Sequence, residues 1–355
     1  MTQPVVSVLV DTFNHEAFIE QAIESVLRQD FPVSQREIVA VDDGSTDRTP
    51  EILRRFAPEV RLLCKKNGGQ ASAFNLGIPE CRGEIIAFLD GDDWWVPGKL
   101  RRVVELLASD KSAGIVGHAI LESFGDGSER VVAPEKAERL HLDSLAAARV
   151  FRLRKSYLGT SRMALRAELA RRILPVPEAL VLEADEYVFT LAAALSDAVI
   201  LPEPLTHYRI HAGNLYLGAG ASPAATRRKL GVHDALAQAL RRNLPLCGTP
   251  PGAVDCITEI VSAEADQMRL ALDGGAPWQT VRTERSIYRV LHGDASWSHR
   301  AFREATMLPA WILPPKWFYA ARRWVAARPW YGRVRRNVLP VPGMTRVAGP
   351  GEFKA

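Results

Sequence analysis

Three carboxylates crowd the end of one apolar run, Phe88-Leu89-Asp90-Gly91-Asp92-Asp93-Trp94. Like charges repel, so grouping them beside a buried strand is costly unless a cation joins them. A hard divalent ion such as Mg²⁺ or Mn²⁺ takes oxygen ligands, keeps positions open and can hold the phosphates of a substrate. The same acids would also favour the N-terminus of a helix starting near Pro97. A second acidic strand end, Val41-Asp42-Asp43-Gly44-Ser45-Thr46-Asp47, tilts the balance toward chemistry. Asp and Ser there can bond a base edge and ribose hydroxyls, whereas helix capping explains Thr46 and Asp47 but not Asp42 together with Asp43. The first apolar run ends in Asp11-Thr12-Phe13-Asn14-His15, which contains no glycine. A dinucleotide fold would need Gly-x-Gly-x-x-Gly at that turn and a P-loop its Gly and Lys, so both are disfavoured.

These strand ends need a frame that brings them together. Residues 5–10, 37–41, 60–63, 84–89 and 114–117 have the length and content of buried strands. Between them, residues 16–28, 48–56, 69–78 and 97–107 repeat apolar side chains at helical spacing, the last opening with proline at a tolerated first-turn position. Strand and helix in alternation imply an α/β chain with a parallel sheet covered on both faces, and ligands of such sheets sit beyond the carboxyl ends of the strands. From about residue 122 the pattern loosens: a turn at 124–128, a polar connector at 133–144, helices at 165–173 and 185–195, then an extended stretch from 202 to 211. Residues 218–225, rich in Gly, Ala and Ser, read as a linker, followed by helices at 227–242, 253–272 and 281–291.

At 355 residues, with 47% hydrophobic and 24% charged, the chain can bury a substantial core. Cys64, Cys81, Cys247 and Cys256 lie far apart with no Cys-x-x-Cys pair, which speaks against a disulfide framework or a zinc site and for the reducing cytoplasm. The start, Met1-Thr2-Gln3-Pro4, runs directly into the first strand without a basic leader segment. No window reaches the roughly 18 apolar residues of a membrane span. The expectation is a soluble or peripheral protein. A net charge of +4 is too small to argue for nucleic acid, and none is expected as a partner. From Arg300 to Ala355, however, eleven Lys and Arg face two acids.

The segments Val6-Ser7-Val8-Leu9-Val10-Asp11-Thr12-Phe13-Asn14, Val41 to Asp47, Asn67-Gly68-Gly69-Gln70-Ala71-Ser72-Ala73-Phe74-Asn75-Leu76-Gly77 and Phe88 to Asp93 occur in this order at these strand ends. Together they resemble the inverting, non-processive glycosyltransferases of the family 2 type, with the GT-A fold. The resemblance covers residues 5–214 and departs from the family at Asp11, where proline is usual. It implies a GT-A domain over residues 1–217, divided into a nucleotide-sugar half (1–120) and an acceptor half (121–217), followed by a helical C-terminal region over 218–355. Asp11, Thr12 and Asp42 would face the nucleobase and ribose, with Asp42 accepting from a base N–H. Asp90 would meet the ribose or the metal, and Asp92, with Asp93 as a second candidate, would bind the ion on the diphosphate. Gln70 and Asn75 would lie beside the donor pocket, unless Asn75 satisfies local backbone instead. In Glu183-Ala184-Asp185-Glu186-Tyr187, Asp185 matches the family's base for the acceptor hydroxyl, with Glu183 and Glu186 as alternatives and helix-dipole stabilisation as the plain explanation. Tyr208-Arg209-Ile210-His211 looks like the family's Tyr-Arg-x-His segment. His211 would complete the metal or diphosphate site, Arg209 would pair with a donor phosphate or a nearby acid, and His207 would be an ordinary side chain.

The implied chemistry is transfer of a sugar from a nucleotide diphosphate donor, UDP weakly favoured, to a hydroxyl of a glycan or lipid-linked acceptor in cell-surface glycan or glycolipid synthesis. A divalent metal, Mn²⁺ or Mg²⁺, would neutralise the leaving diphosphate, and one carboxylate base would give inversion in a single displacement. Competing readings fare worse. A nucleotidyltransferase would carry a Gly-rich basic loop where Asp11 to His15 stand, and a processive synthase would need membrane spans and Gln-x-x-Arg-Trp, whereas Arg323-Trp324 lacks the glutamine. A catalytically silent nucleotide- or membrane-binding scaffold would not need the full set Asp90, Asp92, Asp185 and His211. In the tail, Trp311, Trp317, Phe318, Tyr319, Trp324 and Trp330 alternate with Lys316, Arg322, Arg323, Arg328, Arg333, Arg335 and Arg336. On a helix over 315–327 the tryptophans share one side, which fits either an anionic membrane surface at the inner face of the membrane or a helix docked on the protein by its tryptophans.

Overall fold

The computed structural model describes residues 4–211, 222–292 and 297–326. Strand β1 (Val6–Thr12) sends Val6, Val8 and Val10 to one face of the pleat and Leu9 to the other, as a period of two requires. The valines join Ile19, Ala22, Ile23 and Val26 of helix α1 (Ile19–Leu27) in one buried cluster. Alternation continues through β2 (Arg36–Asp42), α2 (Thr49–Arg54), β3 (Val60–Cys64), α3 (Gln70–Glu80) and β4 (Ile85–Asp90). On the Leu9 face, Phe74 meets Phe88 edge-on with ring centroids 5.3 Å apart. A side chain at Gly77 would collide with Leu9 and Val41, so glycine lets α3 lie flush on the sheet.

Next come β5 (Trp94–Trp95), α4 (Lys99–Ser109), β6 (Ala113–Phe124), β7 (Glu129–Val132), β8 (Glu138–Leu140), α5 (Leu145–Arg154), β9 (Ala164–Arg166), α6 (Ala167–Ile173), α7 (Ala184–Leu195) and β10 (Asp197–Ile210). The sheet order is β3-β2-β1-β4-β9-β6-β10-β5, with β7 on β6 and β8 on β10. Strands β3, β2, β1 and β4 are parallel, as are β6 and β10, and β9 enters antiparallel between β4 and β6. The parallel register sets Thr12 opposite Asp42 and Asp11 opposite Asp90, which lines up three acidic strand ends on one edge.

Three local expectations change. The helix expected at 165–173 begins only at Ala167, because residues 165 and 166 belong to β9, a strand between β4 and β6 too short to carry a period. The connector at 133–144 contains β8, and α4 starts at Lys99 because Gly98, at φ +91°, separates it from Pro97. The turn at 124–128 closes the β6–β7 hairpin as expected, with Phe124 N–H donating to Ser128 O.

Among the described residues, 4–142 and 153–211 form one compact unit, and 143–152 with 222–292 and 297–326 form a second. The second unit contains α8 (Pro223–Asn243), α9 (Pro251–Asp273), α10 (Pro277–His292), α11 (Trp297–Thr306), α12 (Leu308–Ile312) and α13 (Pro315–Ala326). Ser222 caps α8 by accepting from the Ala225 amide, with Pro223 in the first turn. Leu270, Val281, Met307, Ala310, Phe318 and Tyr319 form a core cluster of this unit. Of the linker expected at 218–225, residues 222–225 are instead the cap and first turn of α8, with Pro223 starting the helix, while 218–221 and the sequence from 327 onward, with Trp330 and the arginines at 328, 333, 335 and 336, lie outside the described residues. No described helix is long and apolar enough to cross a membrane.

Candidate active site

At the end of β2, Asp42 is 3% exposed; its Oδ2 accepts from the Ser45 amide at 3.2 Å, and its Oδ1 has no hydrogen-bond partner among the described residues. A buried acceptor left open at a strand's carboxyl end is what a base N–H would fill. Asp43 has a different task. Its carboxylate takes Lys65 Nζ at 2.6 Å and the amides of Gly68 and Gly69 at 3.0 and 2.7 Å, so it holds the loop that enters α3. Gly69 sits at φ +84°, with Val181 so near that any side chain would collide.

The loop after β1 is tied to the loop after β2. Asn14, at φ +56°, donates its amide to Ser45 Oγ and accepts from the Thr46 amide, both at 2.8 Å. The Thr12 hydroxyl lies 3.1 Å from His15 Nδ1 and so organises that imidazole. Asp11 is set lower. Its Oδ2 meets Gln70 Nε2 at 3.5 Å, its Oδ1 has no partner among the described residues, and burial followed by the charge of Asp185 pushes its carboxyl up to about 8.

Gln70 is a bridge. Its Nε2 donates to Thr160 Oγ1 at 3.0 Å and its Oε1 accepts from the Ala184 amide at 2.9 Å, linking α3 to the start of α7. Asn75 exchanges both amide groups with Val176 backbone at 2.8 Å, which makes it a structural clamp and not a donor contact.

At the end of β4 the three acids separate. Asp90 Oδ2 accepts from Ser161 Oγ at 3.3 Å, and burial, then the carboxylates of Asp11, Asp92, Asp93 and Asp185, raise it well above the usual range. Asp93, 1% exposed, accepts from the Arg209 amide at 2.9 Å; burial and then Asp92 push it up to about 7. Through that bond its Oδ1 holds β10. Asp92 faces His211 Nε2 at 3.1 Å and His15 Nε2 at 3.9 Å. Burial would raise Asp92, but the His211 hydrogen bond and the two imidazoles together hold it below the usual carboxylate range. Arg209 donates Nε to the Asp92 carbonyl at 2.8 Å and Nη2 to Gln21 at 2.6 Å, with its guanidinium over the rings of Phe18 and Trp94. These contacts anchor the Asp92 loop. His207 stacks on Trp94 and faces Ser123 and Glu129, an ordinary structural role as expected.

The base candidates sort by partner. Glu186, 1% exposed, pairs with Lys155 Nζ at 2.5 Å, whereas Asp185 is partly accessible in the first turn of α7. Asp185 Oδ2 accepts from both the amide and hydroxyl of Thr160 at 3.1 Å. Burial raises its carboxyl, and the Thr160 bonds partly offset that.

Sequence reasoning missed His15, Thr160, Ser161 and Lys99. His15 stood in a strand-end loop but had no partner legible there. Thr160 and Ser161 lie in a short 3-10 turn without periodicity, and only tertiary contact brings them to Asp185 and Asp90. Lys99 reads as a helix-start residue, yet it is fully buried, donates to Ser161 O at 2.6 Å and Thr206 Oγ1 at 3.2 Å, and lies over the Trp95 ring.

No three described His, Cys, Asp or Glu side chains form a ready-made ion cage. The donor set at Asp92, a carboxylate with imidazoles facing it, fits a divalent cation that completes its shell with diphosphate oxygens and water.

The sequence profile described as "Glycosyl transferase family 2" matches residues 7–173. The chain is 31% identical, over 63% of its own length and 70% of the relative's, to the uncharacterized glycosyltransferase alr2836 of Nostoc sp.. It is 38% identical to the uncharacterized glycosyltransferase EpsJ of Bacillus subtilis over 38% of this chain and 39% of that protein. Among solved structures, S. aureus TarS 1-349 in complex with UDP-GlcNAc superposes with a TM-score of 0.52 at 18% identity, covering 84% of this chain and 92% of that one. The mannosyltransferase PcManGT from Pyrobaculum calidifontis, in complex with GDP-Man and Mn²⁺, does so with a TM-score of 0.51 at 21% identity, covering 95% and 88%. Sheet order, strand-end acids and these likenesses converge: the chain has the GT-A fold, and it belongs to glycosyltransferase family 2.

Proposed function

We propose that this glycosyltransferase moves a sugar with inversion from a nucleotide diphosphate donor to the hydroxyl of a glycan or lipid-linked acceptor, in cell-surface glycan or glycolipid synthesis. The observation that carries it is the meeting of Asp42, Asp90, Asp92 and Asp185 at one sheet edge, with Gln70 and Thr160 tying α3 to α7. Asp42 accepts from a base N–H through its open Oδ1, and Asp90 receives the ribose. Asp92 and His211 hold a divalent cation, Mn²⁺ or Mg²⁺, which when bound neutralises charge developing on the leaving diphosphate. Asp185 takes the acceptor's proton as the oxygen attacks, and a raised carboxyl is a stronger base for that step. One base and one displacement invert the anomeric centre.

UDP is weakly favoured over dTDP or GDP. A neighbour of the same fold was solved with UDP-GlcNAc and another with GDP-Man and Mn²⁺, which supports a sugar nucleotide and a cation without choosing the base. In this reading residues 1–217 are the transferase domain, 218–355 an accessory helical region, and the enzyme works in the cytoplasm, peripheral to the inner face of the membrane.

Nucleoside diphosphate release from UDP-, dTDP- and GDP-sugars, with and without Mn²⁺, tests the reading. Release from one donor class, stimulated by Mn²⁺, is expected; neither release nor binding of any sugar nucleotide would overturn it.

A further inference from the structure

The second unit turns large apolar side chains toward water. Trp297, Leu308, Trp311, Ile312, Trp317 and Trp324 are all exposed, from 49% at Trp311 to 81% at Trp297. Six such side chains within one stretch of α11 to α13 are more than scattered surface residues.

Helix α13 shows why this face is built in. Its inward residues are Phe318 and Tyr319, 9% and 6% exposed, packed with Leu270, Val281, Met307 and Ala310. At 3.6 residues per turn, Trp317 and Trp324, seven apart, share the opposite side with Ala320 and Ala321 between them, while Lys316 and Arg323 line one edge of the stripe. The rotation is held by Glu284, which is 1% exposed. Its carboxylate takes Arg322 at 2.6 Å, Arg303 at 2.8 Å and Gln267 at 2.6 Å. Turning the tryptophans inward would expose Phe318 and Tyr319 and pull Arg322 from that buried carboxylate. The docked-by-tryptophan arrangement weighed from the sequence is therefore not the one adopted.

We propose that the Trp317–Trp324 face of α13 is a docking surface for an anionic lipid bilayer. Indole rings are amphipathic and favour the headgroup level, where Lys and Arg beside them meet lipid phosphates. Lys316 and Arg323 form no ion pair with any described residue, so their charge is available for that contact. The eleven basic and two acidic residues from Arg300 onward add attraction of the same sign. A second copy of the chain fits less well, because α13 carries no acid with which its own face could meet Lys316 and Arg323 of the other copy. The proposal deepens the peripheral placement above and rests on that reading only for the acceptor. Lipid binding is read without donor, so failure of one is told apart from failure of the other.

The test is flotation of the full chain with phosphatidylcholine vesicles, plain or containing roughly one-third phosphatidylglycerol. Binding to the anionic vesicles with a blue shift of tryptophan emission is expected, together with weak binding to the plain ones. Trp317→Ser with Trp324→Ser should weaken binding about tenfold or more. Lys316→Gln with Arg323→Gln should weaken it on the order of 30-fold at low salt. Unchanged far-UV dichroism and unchanged sugar-nucleotide binding in both variants show that the fold is intact. The proposal is overturned if the wild type ignores anionic vesicles. It is equally overturned if the tryptophan pair can be removed without loss, whether the binding then follows residues 327–355 or the variant instead abolishes a self-associated dimer.

Discussion

Thr160 gives both its backbone amide and its hydroxyl to the same oxygen of Asp185, each at 3.1 Å. Hydrogen bonds to the charged form lower a carboxyl's pKa, against burial, which raises this one. Asp185→Asn should cut transfer on the order of 10³-fold and leave nucleotide binding within about twofold. Thr160→Val removes one of the two bonds, so the acid limb of the kcat profile should move to higher pH. A profile unmoved by Thr160→Val, with transfer near wild type in Asp185→Asn, would pass the role of base to another acid.

Asp92 stands between two imidazoles, His211 at 3.1 Å and His15 at 3.9 Å. Asp92→Asn should abolish Mn²⁺-stimulated donor hydrolysis. His211→Ala and His15→Ala should each weaken Mn²⁺ binding about 10-fold or more in the presence of UDP, read from the electron spin resonance of the free ion. Equal Mn²⁺ affinity in all three variants would move the cation away from this strand end.

The unpartnered Oδ1 of Asp42 predicts a nucleotide contact. Asp42→Ala should weaken UDP by roughly 1.5–3 kcal/mol, the range for a hydrogen bond to a charged group, without changing Mn²⁺ binding to the free protein. Calorimetric titration separates the two effects.

Asp43 predicts the opposite pattern, stability before affinity. Removing it leaves Lys65 and the amides of Gly68 and Gly69 without their shared acceptor. Asp43→Ala should cost about 3–5 kcal/mol in urea unfolding, the range for breaking a buried pair. A loss under about 1 kcal/mol would mean that this loop relaxes onto water.

Stability should also track pH. Asp11 and Asp93 are pushed from 3.8 to about 8 and about 7, chiefly by burial. Between the unfolded and folded values the native state binds more protons, so their contribution is complete below about pH 4 and is lost as pH rises through 7 and 8. Thermal melts of the metal-free protein should therefore fall across that window. Asp11→Asn should flatten the fall, and a melt independent of pH from 5 to 9 would contradict these burial effects.

Much of the site was legible because its signals are local. Asp42, Asp90, Asp92 and Asp185 each end an apolar run or begin a helical one, and a parallel sheet brings such ends together whatever its details. Neither Thr160 nor Ser161 was legible, since a short 3-10 turn has no period and its value lies in contacts 25 and 71 residues away along the chain. For Asn75 the backbone-satisfying alternative holds, with Val176 as its partner, and Asp43, whose pairing with Asp42 capping did not explain, holds the loop into α3. Residue type reports what a side chain can bond, not which way its backbone turns it.

The sequence by itself determined the alternation of strands and helices, the acidic strand ends and the family, because apolar period and motif order are written residue by residue. Only the tertiary structure decided which acid faces outward: Asp92 toward its imidazoles, Asp93 into the Arg209 amide, and Asp43 onto the Gly68-Gly69 loop. It likewise decided that α13 buries Phe318 and Tyr319 and turns Trp317 and Trp324 to water. The reason is common to both cases. Adjacent side chains differ by a rotation that a neighbouring element selects, and that neighbour is distant in sequence.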